Sequence, residues 1–479
     1  MTRIQAMEDS SVETNGTGEP ADLVITAGAI ATMDAQRQIQ LDGAVAVRGT
    51  RIVAVGRRAD ILARYRPETL IEEPGSLLTP GLIDAHQHPA SGYLVGGGFL
   101  DELPPERRLA GIMAPHEKML TPHEAYVGSL ATYAEMIRHG TTTFIDAGSP
   151  QSAETVRAAE RTGMRGVIVP RTSDLPGMLG REPATVREVL GHADEVYDRF
   201  NGSAGGRIQV WYGLDDPTSV SDELIQGVVA HAADRDTGVA GHFIGRRPPS
   251  DIAQPERNAD LERYERFGVL ELAPVLAHIG WLPEGDVKRL ADTPAFVAHC
   301  PATSLLGGQG WVAHGVIPDL AAAGTELVLG TDAAAISRFL DLVRVMYLAA
   351  VCHKDARRDY SVMPVTSVFE MATVNAAKAM RASDRLGSVE AGKTADLALF
   401  DLSSLAYRPF QFGNPVADLV YAGSGADATT VVIDGRVVLR DRVLTTVDVE
   451  EVAEAVDEAA GPALDKLGGR RPPQWPISR

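Results

Sequence analysis

The sequence predicts an α/β chain built on a (β/α)8 barrel of the TIM type, with a small β-sandwich domain assembled from both chain ends. Three observations predict it. Short apolar runs alternate with Ala- and Glu-rich helical stretches through the middle of the chain. Eight such runs can be counted, the number a closed parallel barrel requires. Strand-and-turn patterning without helices occupies the two flanks, at about 22–80 and again late in the chain.

The elements follow in order. Met1 to Pro20 is polar and acidic with no apolar signal core, and residues 1–21 are expected to be a disordered tail. Residues 22–80 alternate apolar and polar positions, as in Leu23-Val24-Ile25 and Ala44-Val45-Ala46-Val47, and form the first part of the β domain. The barrel is expected over 81–380. Its strands are Leu82–His88, Thr141–Asp146, Arg165–Arg171, Ile208–Leu214, Val239–Ile244, Pro274–Ile279, Ala295–Pro301 and Glu326–Asp332. Helices are expected at Pro122–Arg138 and Ser221–Ala233, among others. Pro89–His139, after the first strand, is long enough to be a lid or pocket wall, with Gly96-Gly97-Gly98 in a loop. Residues 381–447 return to strands, in Asp396-Leu397-Ala398-Leu399-Phe400 and Val431–Val438, and complete the β domain. Residues 448–479 carry a helix at Val449–Leu467 and then a Pro- and Arg-rich tail.

Composition excludes several classes of partner. The chain has 479 residues, 44% of them hydrophobic, and a formal charge of -19. That charge opposes binding to nucleic acid and to anionic membranes, both of which need basic surface. No apolar run reaches the length of a membrane span. Cys300 and Cys352 are the only cysteines, which fits a reducing cytoplasm and rules out a zinc site made of two cysteine pairs. The expected partners are a small-molecule substrate and further copies of the chain in a homo-oligomer.

The chemistry is carried by strand ends. In Pro80-Gly81-Leu82-Ile83-Asp84-Ala85-His86-Gln87-His88, two histidines lie at i and i+2 at the end of an apolar strand. Side chains alternate along a strand, so both imidazoles point the same way and can chelate a transition metal. His242, His278, His299 and Asp332 lie at the ends of the fifth to eighth apolar runs. A lone strand-end His is more often structural, and a lone Asp after Gly-Thr is more often a turn or cap. Their joint placement at the C-terminal ends of successive barrel strands, where barrel active sites lie, points to one site.

These motifs resemble the amidohydrolase superfamily from about residue 22 to 440, in the split β domain, the Pro80–His88 segment and Gly330-Thr331-Asp332. Glu135-Met136-Ile137-Arg138-His139-Gly140-Thr141-Thr142-Thr143 and His299-Cys300-Pro301 are similar to the branch of chlorotriazine hydrolases and S-adenosylhomocysteine or cytosine deaminases. The resemblance implies that His86, His88, His242 and Asp332 hold one divalent metal, zinc ahead of iron or cobalt. It implies that Asp332 takes the proton of the attacking water and that His278 meets the water or the substrate. Two-metal members of the superfamily often use a carbamylated Lys on the fourth strand, and Ile208–Leu214 has no Lys. His299 and Ser304 are expected to face the substrate. The chemistry such a centre supplies is a water acidified toward hydroxide near neutral pH.

Two departures bear on the substrate. Members of this branch usually carry Glu three residues after the fifth-strand His, where it protonates a ring nitrogen; here that position is Gly245. Ser304 stands where the branch often has Asn. A urea, carbamate or amide needs no ring protonation, so the leading expectation is a hydrolase of N-substituted ureas, carbamates or thiocarbamates, as in the phenylurea and molinate-type hydrolases. The alternatives are an aminohydrolase of a purine, pyrimidine or triazine, and a non-enzymatic barrel scaffold. Arg246 and Arg247 are read as solvated surface rather than an anion site.

Overall fold

The computed structural model describes residues 18–98, 103–245, 255–409, 413–468 and 475. The first flank forms β1 (Glu19–Ala31), β2 (Ile39–Arg48), β3 (Arg51–Arg57) and β4 (Tyr65–Pro80). Residues 19–21, assigned to the tail from their polarity, are therefore already in a strand; they pair with Tyr65, Arg66 and Pro67 of β4.

The middle of the chain supplies the barrel strands: β5 (Leu82–Gln87), β6 (Thr141–Asp146), β7 (Arg165–Ile168), β8 (Ile208–Val210), β9 (Tyr212–Leu214), β10 (Val239–Phe243), β11 (Val275–His278), β12 (Phe296–His299) and β13 (Glu326–Leu329). All neighbouring pairs are parallel, in the orders β5-β6-β7-β8 and β9-β10-β11-β12-β13. β8 and β9 are two halves of the predicted fourth strand, split at Trp211. The Trp211 N–H still donates to the Ile168 carbonyl at 3.0 Å, so the chain does not leave the wall. Its indole fills the place a side chain at Gly238 would take, 2.3 Å from that Cβ position.

Closure between the last and first strands depends on Gly330. A Cβ there would lie 2.6 Å from the Cβ of His86. Beyond it, Asp332 N–H donates to the His86 carbonyl at 2.9 Å and Thr331 N–H to Asp84 Oδ1 at 3.1 Å. The first and eighth strand ends are thus held together where the chemistry sits. Ile83, Ala85, Val167, Trp211, Val275 and Val328 pack as one buried cluster, together with Ala376 and Met380 of the helical segment after the last barrel strand.

The chain then forms β14 (Leu397–Asp401), β15 (Ala428–Ile433), β16 (Arg436–Arg440) and β17 (Val443–Leu444). These join the first flank in one eight-stranded sheet, β17-β16-β15-β14-β4-β1-β2-β3. The seam between the two chain ends is antiparallel, with Leu399 opposite Leu78. Leu23, Ile25, Val45, Leu78, Leu397 and Leu399 form its buried core. The β domain assembled from both flanks is therefore observed.

Arg165, the first residue of β7, bolts the two domains together. It is buried, with Nε 2.7 Å from Asp396 Oδ2 and Nη2 3.0 Å from Asp434 Oδ1. Removing one member of a buried ion pair leaves the other charged and desolvated. Arg165→Ala should therefore cost about 3–5 kcal/mol, read as a lower denaturant midpoint. An unchanged midpoint would show that the pair carries no net stability.

Helix Pro122–Arg138 has the bounds its sequence predicts. Its N-cap Thr121 accepts from Glu124 N–H while Glu124 accepts from Thr121 N–H, a reciprocal capping box. Helices Asp222–Asp234 and Val449–Lys466 start after the side-chain caps Ser221 and Asp448. The 89–139 segment is largely helical where described, with Tyr93–Gly98 as a 3₁₀ turn that takes in the three glycines read as a loop. The C-terminal helix lies on it: Ala459 and Ala463 pack with Leu94, Val95 and Met113, and Lys466 Nζ meets Glu124 Oε1 at 2.8 Å. Among the described residues no helix is long and apolar enough to cross a membrane.

Candidate metal centre

The barrel brings His86, His88, His242, His278 and Asp332 to one point at the C-terminal strand ends. His86 is on β5 and His88 one residue past its end, and their rings lie 5.2 Å apart at 88°. Asp84 lies beneath them. It accepts from the His86 and Thr331 N–H groups and from the Thr331 hydroxyl, so it ties the first strand to the turn that carries Asp332. Burial pushes the Asp84 carboxyl up to about 7, against those hydrogen bonds.

His242 on β10 donates from Nδ1 to the Asp215 carbonyl at 2.6 Å. That bond fixes its tautomer and leaves the Nε2 lone pair facing inward, 3.1 Å from His88 Nε2. His278 ends β11 with φ +79°, and Asp332 follows β13 with φ +62°. Both are in the left-handed region, which non-glycine residues adopt at some cost and which recurs at functional sites. Asp332 Oδ1 lies 4.0 Å from His86 Nε2 and 3.6 Å from His88 Nε2, and its Oδ2 lies 3.9 Å from His278 Nε2. Thr303 Oγ1 donates to Oδ2 at 2.7 Å and Ala333 N–H to Oδ1 at 2.6 Å.

The electrostatics match the donor set. Burial lowers the imidazoles of His88 and His278, and lowers those of His86 and His242 well below the ordinary histidine value, so the rings are neutral near pH 7. Burial alone would raise Asp332. His278, His88 and the Thr303 and Ala333 donors outweigh it and hold the carboxyl below its ordinary range. Among the described residues the buried Nε2 of His86 has no hydrogen-bond partner. Two groups, His86/His242/His278 and His86/His88/Asp332, each place their donor atoms within 4.8 Å of one another. An orphaned imidazole nitrogen among neutral imidazoles and a carboxylate fits a divalent transition metal.

A cavity of about 950 Å³, counting its mouth, opens over these residues. One wall is apolar, with Met113, Leu179, Ile244, Trp311 and Ile336. The other is charged. Arg181 lies between Glu117, at 3.2 Å, and Asp215, which it also contacts; Arg171 holds Glu117 at 2.6 Å. Burial would raise the Glu117 carboxyl, but Arg171 and Arg181 bring it below its ordinary value.

The expected substrate-facing residues are placed differently. His299 ends β12 buried, with Nε2 2.9 Å from Nε2 of His353 on a barrel helix, and does not line the cavity. Ser304 Oγ accepts from Val312 N–H at 3.2 Å and also lies off the cavity wall. The neighbouring Thr303 is the one that reaches the centre. Reasoning from the sequence missed Thr303, Glu117, Arg181, Asp215 and Trp311. Only Thr303 has a local signal, the Pro301 that starts helix Pro301–Gly307 directly after the strand. Arg246 and Arg247 lie outside the described residues.

Gly245 is more than a missing side chain. Its φ is +57°, and a Cβ would meet the Trp281 carbonyl oxygen at 2.4 Å. The backbone here closes the position to any side chain unless it moves.

Residues 77–438 match the amidohydrolase family, and residues 43–66 match an imidazolonepropionase-like composite domain of bacteria. The chain is 32% identical to a 5-methylthioadenosine/S-adenosylhomocysteine deaminase of Pelotomaculum thermopropionicum, over 92% of this chain and 98% of that protein. It is 32% identical to a 5'-deoxyadenosine deaminase of Methanothermobacter thermautotrophicus, over 88% and 96%. A zinc-bound adenosine deaminase from Xanthomonas campestris superposes with a TM-score of 0.83 at 26% identity, covering 93% of this chain and 99% of that one. A zinc-bound atrazine chlorohydrolase from Arthrobacter aurescens shares the fold at 22% identity, with a TM-score of 0.77 over 91% and 100%. The family match across the whole barrel, and relatives that align over nearly their full length, place this chain in the amidohydrolase family, as a metal-dependent hydrolase of carbon–nitrogen bonds.

Proposed function

We propose that the protein is an aminohydrolase that removes the exocyclic amine of an adenine-type ring in a small nucleoside, using one divalent ion, zinc, held by His86, His88, His242 and Asp332. The observation that carries this reading is the near full-length likeness to deaminases of 5'-modified adenosines. Zinc is favoured because it is named in similar structures. In the balanced reaction water adds at the amine-bearing carbon, the C–N bond breaks, and the ring leaves as the oxo form with ammonia.

The metal supplies Lewis acidity. The chain's own residues handle the protons. Asp332 is held ionised by the Thr303 and Ala333 donors, so an oxygen of its carboxylate can receive the proton of the attacking water. In this reading His278, whose Nε2 lies 3.9 Å from Asp332 Oδ2, delivers a proton to the leaving nitrogen. Leu109, Met113, Leu179 and Ile336 line the cavity and restrict water around the reacting carbon.

Hydrolysis of a urea or carbamate is kept as a second reading, because Gly245 provides no carboxylate beside a ring nitrogen. One experiment separates the two. Zinc-loaded protein is expected to release ammonia from 5'-deoxyadenosine, 5'-methylthioadenosine or S-adenosylhomocysteine at about 1 s⁻¹ or faster. Aniline from a phenylurea, with no ammonia from any of the nucleosides, would replace the first reading by the second.

A further inference from the structure

The first reading leaves open what recognises the ring beside His278. Trp311 lines the cavity, and its indole centroid lies 5.3 Å from the His278 ring at a tilt of 40°. It is closely seated. A Cβ at Gly280 would meet Trp311 Cδ1 at 2.3 Å, so the indole takes the place of a side chain two residues after His278. A Cβ at Gly315 would meet the Trp311 and Gly280 carbonyl oxygens at 2.1 and 2.4 Å. The backbone on both sides is tied down: Gly280 N–H donates to the Ile244 carbonyl at 2.8 Å and Val312 N–H to Ser304 Oγ at 3.2 Å. Among the described residues the indole N–H has no hydrogen-bond partner.

We propose that Trp311 is a specificity-determining platform: the planar ring of the substrate stacks on its indole, with the leaving group directed at His278. The inference rests on the ring-bearing substrate of the preceding section. A fixed aromatic face attracts flat π-systems and favours them over puckered rings of similar size. Ile244 and Leu179 add apolar contact without competing polar groups. The indole N–H lies in the plane of its ring, so it does not bond to a ring stacked on its face, and it cannot replace a carboxylate in moving protons, since an indole does not ionise in water.

The test uses the zinc-loaded full chain and two probes that release no ammonia from a ring: purine, which has no exocyclic amine, and cyclohexylurea, which is not planar. Binding is measured by calorimetry for wild type, Trp311→Leu and Trp311→Phe, with zinc content checked in each. Trp311→Leu should weaken purine about tenfold, and Trp311→Phe, which keeps an aromatic face, by no more than about threefold. Cyclohexylurea binding should be the same in all three. The platform is overturned if wild type does not bind purine, or if the variants keep zinc and bind purine as wild type does. An equal loss of both probes also overturns it, since that shows collapse of the cavity rather than loss of a stack. If wild-type purine binding depends on Trp311 while no adenosine derivative releases ammonia, the platform stands and the deaminase reading fails.

Discussion

Replacing His86 by Ala is expected to remove the metal and the activity together. His86 belongs to both donor groups of the centre, and among the described residues its buried Nε2 has no hydrogen-bond partner. Structural zinc sites with four protein ligands bind the ion with roughly 10–16 kcal/mol, or about 3 kcal/mol per ligand, so losing one ligand here should weaken binding by more than about a hundredfold. The fold should survive. The imidazole contributes little to closure, which runs through the His86 carbonyl and Asp332 N–H and is untouched by the substitution. Elemental analysis of dialysed protein is therefore expected to fall from one metal per chain to near zero, with an unchanged circular dichroism spectrum. Two metals per chain in the wild type, or an active His86→Ala protein without metal, would overturn the ligand assignment.

The barrel and the histidine pair were legible because both are written in local periodicity. Strand alternation puts His86 and His88 on one side, and strand ends mark His242, His278 and Asp332. Helix Pro122–Arg138 was equally legible, since its capping box and Pro are adjacent in sequence. What was not legible comes from contacts across loops. His299 has the same strand-end signal as His278, yet its ring turns to His353, a helix residue that no spacing rule connects to it. Arg181 and Glu117 meet from a loop and a helix far apart in sequence. Gly245 read as the loss of one carboxylate. Its positive φ and the nearby Trp281 carbonyl leave no room for a Cβ there, which residue identity alone does not reveal. The preference for ureas drawn from that residue is weakened by the relatives, which share near full-length similarity and are deaminases.

His278→Ala is expected to keep the metal and lower kcat by about 10²-fold or more, the usual cost of losing a positioned acid–base group. The two substitutions therefore separate holding the ion from moving the proton. His278 also falls within one of the two donor groups, so the structure alone admits it as a ligand. Its position argues for the other role. It lines the cavity beside Trp311, and its Nε2 faces Asp332 Oδ2, the oxygen already engaged by Thr303, rather than Oδ1, which lies nearer His86 and His88. Its backbone is held at φ +79°, with the following Ile279 N–H bonded to the Phe243 carbonyl at 2.8 Å, so the turn fixes the direction in which the side chain leaves the backbone. Burial lowers its pKa, so the neutral ring can accept a proton near pH 7 and pass it on. Metal analysis alongside steady-state kinetics settles the role: one zinc per chain with a collapsed kcat makes His278 the acid–base group, loss of zinc makes it a ligand, and full activity makes it structural.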